Sequence, residues 1–388
     1  MIKRASRLLP IALLAWFCTQ STKKIVEEID NSSPAITGAS ASLPLDKIKL
    51  PAGFSISVFA EVANARSLAV SPNGTIFVGN RNEDKVYAIK DADGDGKADK
   101  KWTIASGLNM PNGVAFRNGD LYVAEVNRIH KFSGIESKLD NPGKSQVIYD
   151  KYPTEAHHGW KYIAFGPDGK LYVPVGAPCN ICESKDPVYA SITRMNPDGT
   201  GVEVFASGVR NTVGFTWHPT TKQIWFTDNG RDMMGDDIPP CELNTAPKEG
   251  LHFGYPYCHG GTIKDDEFGN KRPCSDFVKP AQNLDAHVAP LGLKFYTGKM
   301  FPAEYRNQII LAEHGSWNRS KKSGYKLSLV KVDANSKTTS YTPFATGWLD
   351  DASQKVWGRP VDVLLLPDGS MLVSDDQANV IYRIVYKG

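Results

Sequence analysis

A short text returns six times along this chain: a tight turn, then an alternating run rich in β-branched and aromatic residues. It reads SPNGTIFVGN around Gly74, FRNGDLYVAE around Gly119, GPDGKLYVPVG around Gly169, TTKQIWFTDNG around Gln223, YRNQIILAEHG around Gln308 and LPDGSMLVSDD around Gly369. The first four lie 45, 50 and 54 residues apart, and an insertion around residues 231–285 accounts for the wider later gaps. Short apolar runs precede the turns, among them Ser67 to Val70, Gly113 to Phe116, Ile163 to Phe165 and Val361 to Leu366. Two such runs joined at a tight Gly turn make a β-hairpin.

Four short antiparallel strands per unit, repeated about six times, predict an all-β fold, a six-bladed β-propeller whose radial closure leaves few unpaired edges. Two β-sandwiches side by side would not explain the nearly constant interval. The 388 residues, 41% hydrophobic and 22% charged, describe a packed chain and exclude a disordered, collagen-like or polytopic membrane protein. A formal net charge of +3 without a long basic run leaves no footprint for nucleic acid, so a small ligand is expected.

The first residues read as targeting. Lys3, Arg4 and Arg7 precede an apolar run from Leu8 to Phe17, the pattern of a secretory signal over 1–18 and too short to span a bilayer. Cys18 follows directly, as in a lipoprotein signal, whereas the bulky Phe17 before it favours simple secretion. The chain is thus expected to be exported, periplasmic or membrane-anchored through a lipid on Cys18. A flexible tether is expected over 19–43 and the propeller over 44–388.

Export places Cys179, Cys182, Cys241, Cys258 and Cys274 in an oxidising compartment, where they can form at most two bridges and one thiol. Cys179 with Cys182 is the best local pair. Glu183 stands after Cys182, where covalent haem attachment requires a histidine.

In a propeller, function sits on loops beside the central channel. Those loops carry His157 and His158 in AHHGWKYIAFG, Arg210 and Asn211 in GVRNTVGF, the acidic run of TDNGRDMMGDD and His287 in AHVAPLG. They go on to His314, Arg319 and Lys322 in AEHGSWNRSKK and Arg359 in WGRPVDV. Histidines and arginines arriving from several blades at one end would make a concave, positively charged site suited to a small polyanion. Separately, DADGDGKAD puts Asp91, Asp93, Asp95 and Asp99 at calcium-loop positions one, three, five and nine, with Gly96 at six. Trp102 stands at the twelfth position in place of the bidentate Glu, so this is either a peripheral calcium loop or a solvated turn.

Over roughly residues 46–386 the chain resembles the soluble quinoprotein sugar dehydrogenases, the glucose and sorbosone dehydrogenase family, and within it the sorbosone-like branch. The likeness rests on HHGWKYIAFGPDGKLYVPVG, GVRNTVGFTWHP, FTDNGRDMMGDD, KEGLHFGYPYCHGG, HVAPLGLKFY, AEHGSWNRS and GRPVDVLLLPDGSMLVSDD, in that order. The resemblance implies a six-bladed propeller using pyrroloquinoline quinone (PQQ) and Ca2+ to oxidise a sugar or related alcohol or aldehyde, with electrons leaving to a separate acceptor. It makes His158 the general base, with His157 its nearest rival, and sets Arg210 against charge growing on the quinone oxygen. Asn211 would orient the cofactor, and Arg359 with either Arg319 or Lys322 would meet its carboxylates, since the spacing after His314 does not fix which. It assigns calcium to the backbone carbonyls of Gly230 and Arg231, a loop-holding or second-calcium role to Asp232, Asp236 and Asp237, and pocket positions to His287 and His314. The runner-up is a cofactor-free propeller, a carbohydrate-binding module or a lactone hydrolase.

Overall fold

The computed structural model describes residues 43–388, and Pro44–Gly388 forms one compact unit. The leader expected over 1–18, Cys18 with it, and almost all of the tether expected over 19–43 lie outside the described residues.

Six four-stranded antiparallel sheets follow one another along the chain as the blades of a propeller. Blade one runs Ala65–Val70, Ile76–Asn80, Val86–Lys90 and Lys100–Ala105; blade two runs Gly113–Arg117, Asp120–Ala124, Ile129–Phe132 and Gln146–Tyr149. Blade three has Ala164–Phe165, Leu171–Val175, Ser191–Met195 and Glu203–Ser207, extended by the parallel strand Leu251–His252. Blade four has Phe215–Trp217, Ile224–Asp228, Glu242–Ala246 and Gln282–Asn283, and blade five Pro290–Phe295, Ile309–Glu313, Lys326–Val332 and Thr338–Ala345. In blade six, Pro360–Leu365, Met371–Asp375 and Val380–Tyr386 are completed by Phe54–Glu61 from the other end of the chain. That pairing closes the ring and leaves no edge between first and last blades.

The repeated turn has one stereochemical requirement, a residue in the left-handed region. Gly74, Gly119, Gly169 and Gly369 supply it with φ between 79 and 88°. The two units without glycine meet it at Lys222 (φ 60°) and Asn307 (φ 58°), which is why the hairpin survives there. Apolar side chains fill the space between neighbouring blades: Phe77, Val86 and Ala88 of blade one pack with Val114, Leu121 and Val123 of blade two. Trp225 and Leu243 of blade four likewise meet Leu293 and Leu311 of blade five. The stretch around 231–285, expected as an insertion, is not purely one. Glu242–Ala246 and Gln282–Asn283 inside it are blade strands, and only the remainder is added loop. Disulfides join Cys179 to Cys182, as expected, and Cys258 to Cys274, while Cys241 is a buried thiol.

Candidate active site

Register places the site. In the inner hairpins of blades one, two, five and six the start of the first strand pairs with the end of the second: Ala65 with Asn80, Gly113 with Ala124, Pro290 with Glu313, Pro360 with Asp375. All of these starts and ends therefore meet at one mouth of the channel. The innermost strands of blades one, five and six each slip register just after this point. Such bulges re-aim side chains, and in blade one the slip frees Arg66 from the ladder's alternation, while Arg359 stands just before its strand.

His158 stands just ahead of blade three's inner strand in a left-handed conformation (φ 51°). That backbone state costs an L-residue about 1–2 kcal/mol and clusters at functional sites. His287, Ala289 and Met233 at the same mouth share it. His158 Nδ1 is 2.9 Å from the Ala177 carbonyl, which can only accept, so the proton is assigned to Nδ1 and Nε2 keeps its lone pair. Gly176 makes room, since a Cβ there would come within 2.5 Å of His158 Cβ. Burial first, then the charges of Arg210 and His157, hold the His158 pKa well below the ordinary 6.5. His157 lies against it, ring centroids 4.0 Å apart.

Arg210 is 4% exposed and fixed from several directions. Its Nε donates to Asn180 O at 2.8 Å, Nη2 to Asn180 Oδ1 at 2.8 Å, and Nη1 to Asn229 O at 3.2 Å. The buried Asp228 carboxylate accepts the amides of Arg210 and Asn211 at 2.8 and 2.6 Å. Burial raises Asp228 to about 6, and burial together with Asp228 raises the neighbouring Glu242 to about 8.

Across the mouth, Asp376 joins Arg66 (2.7 Å) to His314 (2.8 Å). Arg66 Nε also donates to Asn112 Oδ1. Arg359 donates to the His314 and Gly315 carbonyls at 3.0 and 2.9 Å. Burial, then Arg359, pulls His314 down to about 3. Burial acts to raise Asp376, but His314 and Arg66 outweigh it and hold the carboxyl far below the usual range. Between these groups Arg81 lies 3.9 Å above the Trp160 ring. Its Nε is buried without a hydrogen-bond partner, as is Trp160 Nε1, and burial followed by Arg66 lowers Arg81 to about 10. Trp160 packs on Val213, Leu291 and Val361 from three blades. Arg66, Arg81, Trp160 and Asp376 escaped the sequence reading.

The other expected residues divide. His287 donates from Nε2 to Gly235 O at 2.8 Å and faces Asp232 with Nδ1 at 3.6 Å, the contact that raises its pKa. Arg319 is held by Asp236 O, Lys321 O and Asp237 Oδ1, and Ser320 N donates to Asp236 Oδ1, so these acidic residues brace the loop. Lys322 is exposed and donates to Gln354 O, outside the buried group. The Arg231 side chain turns away to Asp265, and neither the Gly230 nor the Arg231 carbonyl accepts a hydrogen bond from the described residues. Both carbonyls remain available to a hard cation. The aspartates of DADGDGKAD lie apart, between the third and outer strands of blade one. Asp91, Asp93 and Asp99 gather within 4.8 Å, while Asp95 Oδ1 instead accepts Lys97 N. Backbone amides of the same turn already occupy Asp91 and Asp99.

The nature of the donor set fits PQQ: several guanidinium groups, a planar indole beside them, a buried N–H without a partner among the described residues, and carbonyls free for calcium. Comparison with known proteins bears on the same point. The chain is 35% identical over 356 residues, 88% of its length and 91% of the relative's, to an uncharacterized protein of Borreliella burgdorferi. A PQQ-dependent pyranose dehydrogenase of Coprinopsis cinerea is 31% identical over 124 residues, 28% of this chain and 16% of that enzyme. Among solved structures, a calcium structure of the Trichoderma reesei family AA12 enzyme superposes with TM-score 0.77 at 20% identity, covering 88% of this chain and 97% of that one. The holo PQQ domain of the Coprinopsis cinerea pyranose dehydrogenase gives 0.74 at 17% identity, covering 87% and 97%. A family model described as TrAA12-like matches residues 48–387, and the chain therefore belongs to the TrAA12-like family.

Proposed function

We propose that this chain is an exported quinoprotein dehydrogenase that oxidises a sugar or a related alcohol or aldehyde, with PQQ and calcium as cofactors and His158 as general base. The observation that carries it is a buried neutral histidine with a free Nε2, set among arginines of which one retains an unpaired buried N–H. The family membership and the pyranose dehydrogenase relative support the same reading.

Bound PQQ would supply the hydride acceptor, and calcium, which the Gly230 and Arg231 carbonyls would hold, would supply a Lewis acid. His158 Nε2 takes the proton of the substrate hydroxyl, and the Nδ1–H bond to Ala177 O fixes ring and tautomer while it does so. Arg210 sets positive charge where negative charge grows. Arg81 and Arg359 would meet carboxylates, with Arg319 a better further candidate than the exposed Lys322, and Trp160 would offer its ring system a planar apolar face. Asn211 orients the cofactor from beside Arg210. His157, His287 and His314 shape the pocket around the substrate. Electrons leave to a separate acceptor. The leader of 1–18 and the two disulfides support a position outside the cytoplasm, whether secreted or tethered through Cys18.

The purified protein, loaded with PQQ and Ca2+, should reduce an artificial electron acceptor when aldoses or alcohols are added. Cofactor uptake with no dye reduction across a panel of pyranoses, aldehydes and alcohols would contradict the dehydrogenase and favour a binding module.

A further inference from the structure

Cys179 and Cys182 enclose only Asn180 and Ile181, and the bond between them closes this turn into a small ring. Tyr255, itself buried, pins the ring: its hydroxyl accepts the Cys182 amide at 3.0 Å and lies 3.4 Å from Cys179 Sγ. The residue displayed by this device faces the site. Asn180 accepts Arg210 Nε on its main-chain oxygen and Arg210 Nη2 on Oδ1, both at 2.8 Å. Its Oδ1 also accepts Asp232 N at 2.8 Å, and its Nδ2 donates to Asp232 O at 3.1 Å. One asparagine thus grips an entire edge of the guanidinium and ties it to the loop that carries the Gly230 and Arg231 carbonyls.

We propose that Asn180, held between the bonded Cys179 and Cys182, is the positioning residue that aims Arg210 at the reacting centre without neutralising it. The proposal rests on the role given to Arg210 above. A carboxylate at this place would grip the same guanidinium edge equally well, as arginine forks commonly pair. It would also cancel much of the charge that Arg210 is there to supply. A neutral amide reproduces the two-point geometry and adds no charge of its own, so that the guanidinium is paired with a single carboxylate oxygen, Asp232 Oδ2, in one long contact of 3.4 Å from Nη2. The other neutral contact, Asn229 O at 3.2 Å, completes the frame.

Two readouts test it. In apoprotein labelled with 15N-arginine, the Arg210 Nε–H resonance, assigned through Arg210→Lys, should exchange slowly with solvent. Exchange should quicken about tenfold in Asn180→Ala, as expected for loss of a charged hydrogen bond, and in the same direction in the Cys179→Ser, Cys182→Ser double variant. Asn180→Asp should keep the slow exchange. In the loaded enzyme, kcat should fall about tenfold or more in both Asn180→Ala and Asn180→Asp with KM for sugar little changed, because one loses aim and the other charge. Wild-type exchange in Asn180→Ala and in the double variant would overturn the proposal, as would an Asn180→Asp enzyme of full kcat. Because the exchange measurement needs no cofactor, it stands apart from the reading of function, which fails if the wild-type protein takes up no PQQ.

Discussion

The two sides of the channel mouth differ in what their polar groups already hold. On the side of blades five, six and one, Arg66, Asp376, His314 and Asn112 are bonded to one another. On the side of blades three and four, His158 Nε2 and the Gly230 and Arg231 carbonyls have no hydrogen-bond partner among the described residues, and neither has the buried Nε–H of Arg81 between the two sides. A closed network of buried charges behaves as scaffold, because removing one member strands the others. An open set behaves as a receptor, since its desolvation is repaid only by a ligand. The comparison teaches that arginines at one mouth are not equivalent: Arg66 is already bonded to Asp376 and Asn112, whereas Arg81 keeps a buried N–H for a ligand.

The largest effect should fall on the open side. His158→Ala should lower kcat by about a thousandfold while PQQ uptake stays near wild type, read by dye reduction and by cofactor titration; retained turnover would move the base to His157. Arg210→Ala should lower kcat by about a hundredfold. On the closed side, Asp376→Asn leaves Arg66 and His314 facing each other without an anion and should cost about 3 kcal/mol of folding stability in chemical denaturation. Arg81→Met should do the reverse: weaken PQQ binding about tenfold with no loss of stability, since it removes an unpaired buried group. If both changes affected stability alike, the two sides would not differ in kind.

The smallest effect is one of pH. An ordinary histidine gains its proton as pH falls through 6.5, whereas burial and Arg210 hold His158 well below that value. The base therefore remains neutral through pH 6.5, and kcat/KM should show no acid limb there. A loss of activity centred at the ordinary imidazole value would mean that His158 is either solvated or not the base.

Much of the architecture was legible because each hairpin carries its own local instruction. The turn text names a left-handed position, and even Lys222 and Asn307 occupy it without glycine. The strand Glu242–Ala246 was harder to see: its buried side chains include Glu242 and Asn244, so polar text concealed an interior strand among the cysteines. The site was read in part. His158, Arg210, Asn211, His314 and Arg359 precede or follow inner strands in the expected way. Arg66 sits on a bulge, where alternation no longer tells inward from outward, and Arg81 follows a strand whose text carries no share of the family resemblance. Asp376 ends the quoted run LVSDD, and its place opposite Arg359 was the available signal. Asn180 was overlooked because the motif around it draws the eye to its two cysteines. Lys322 was overvalued, for a cation at a blade end becomes part of the pocket only if the loop turns it inward.

The most direct measurement is a calorimetric titration of the purified apoprotein with PQQ, with and without Ca2+. The account predicts saturable binding of one molecule per chain that tightens when calcium is present and weakens in Arg81→Met. Absence of binding, or binding indifferent to both the cation and Arg81, would contradict it.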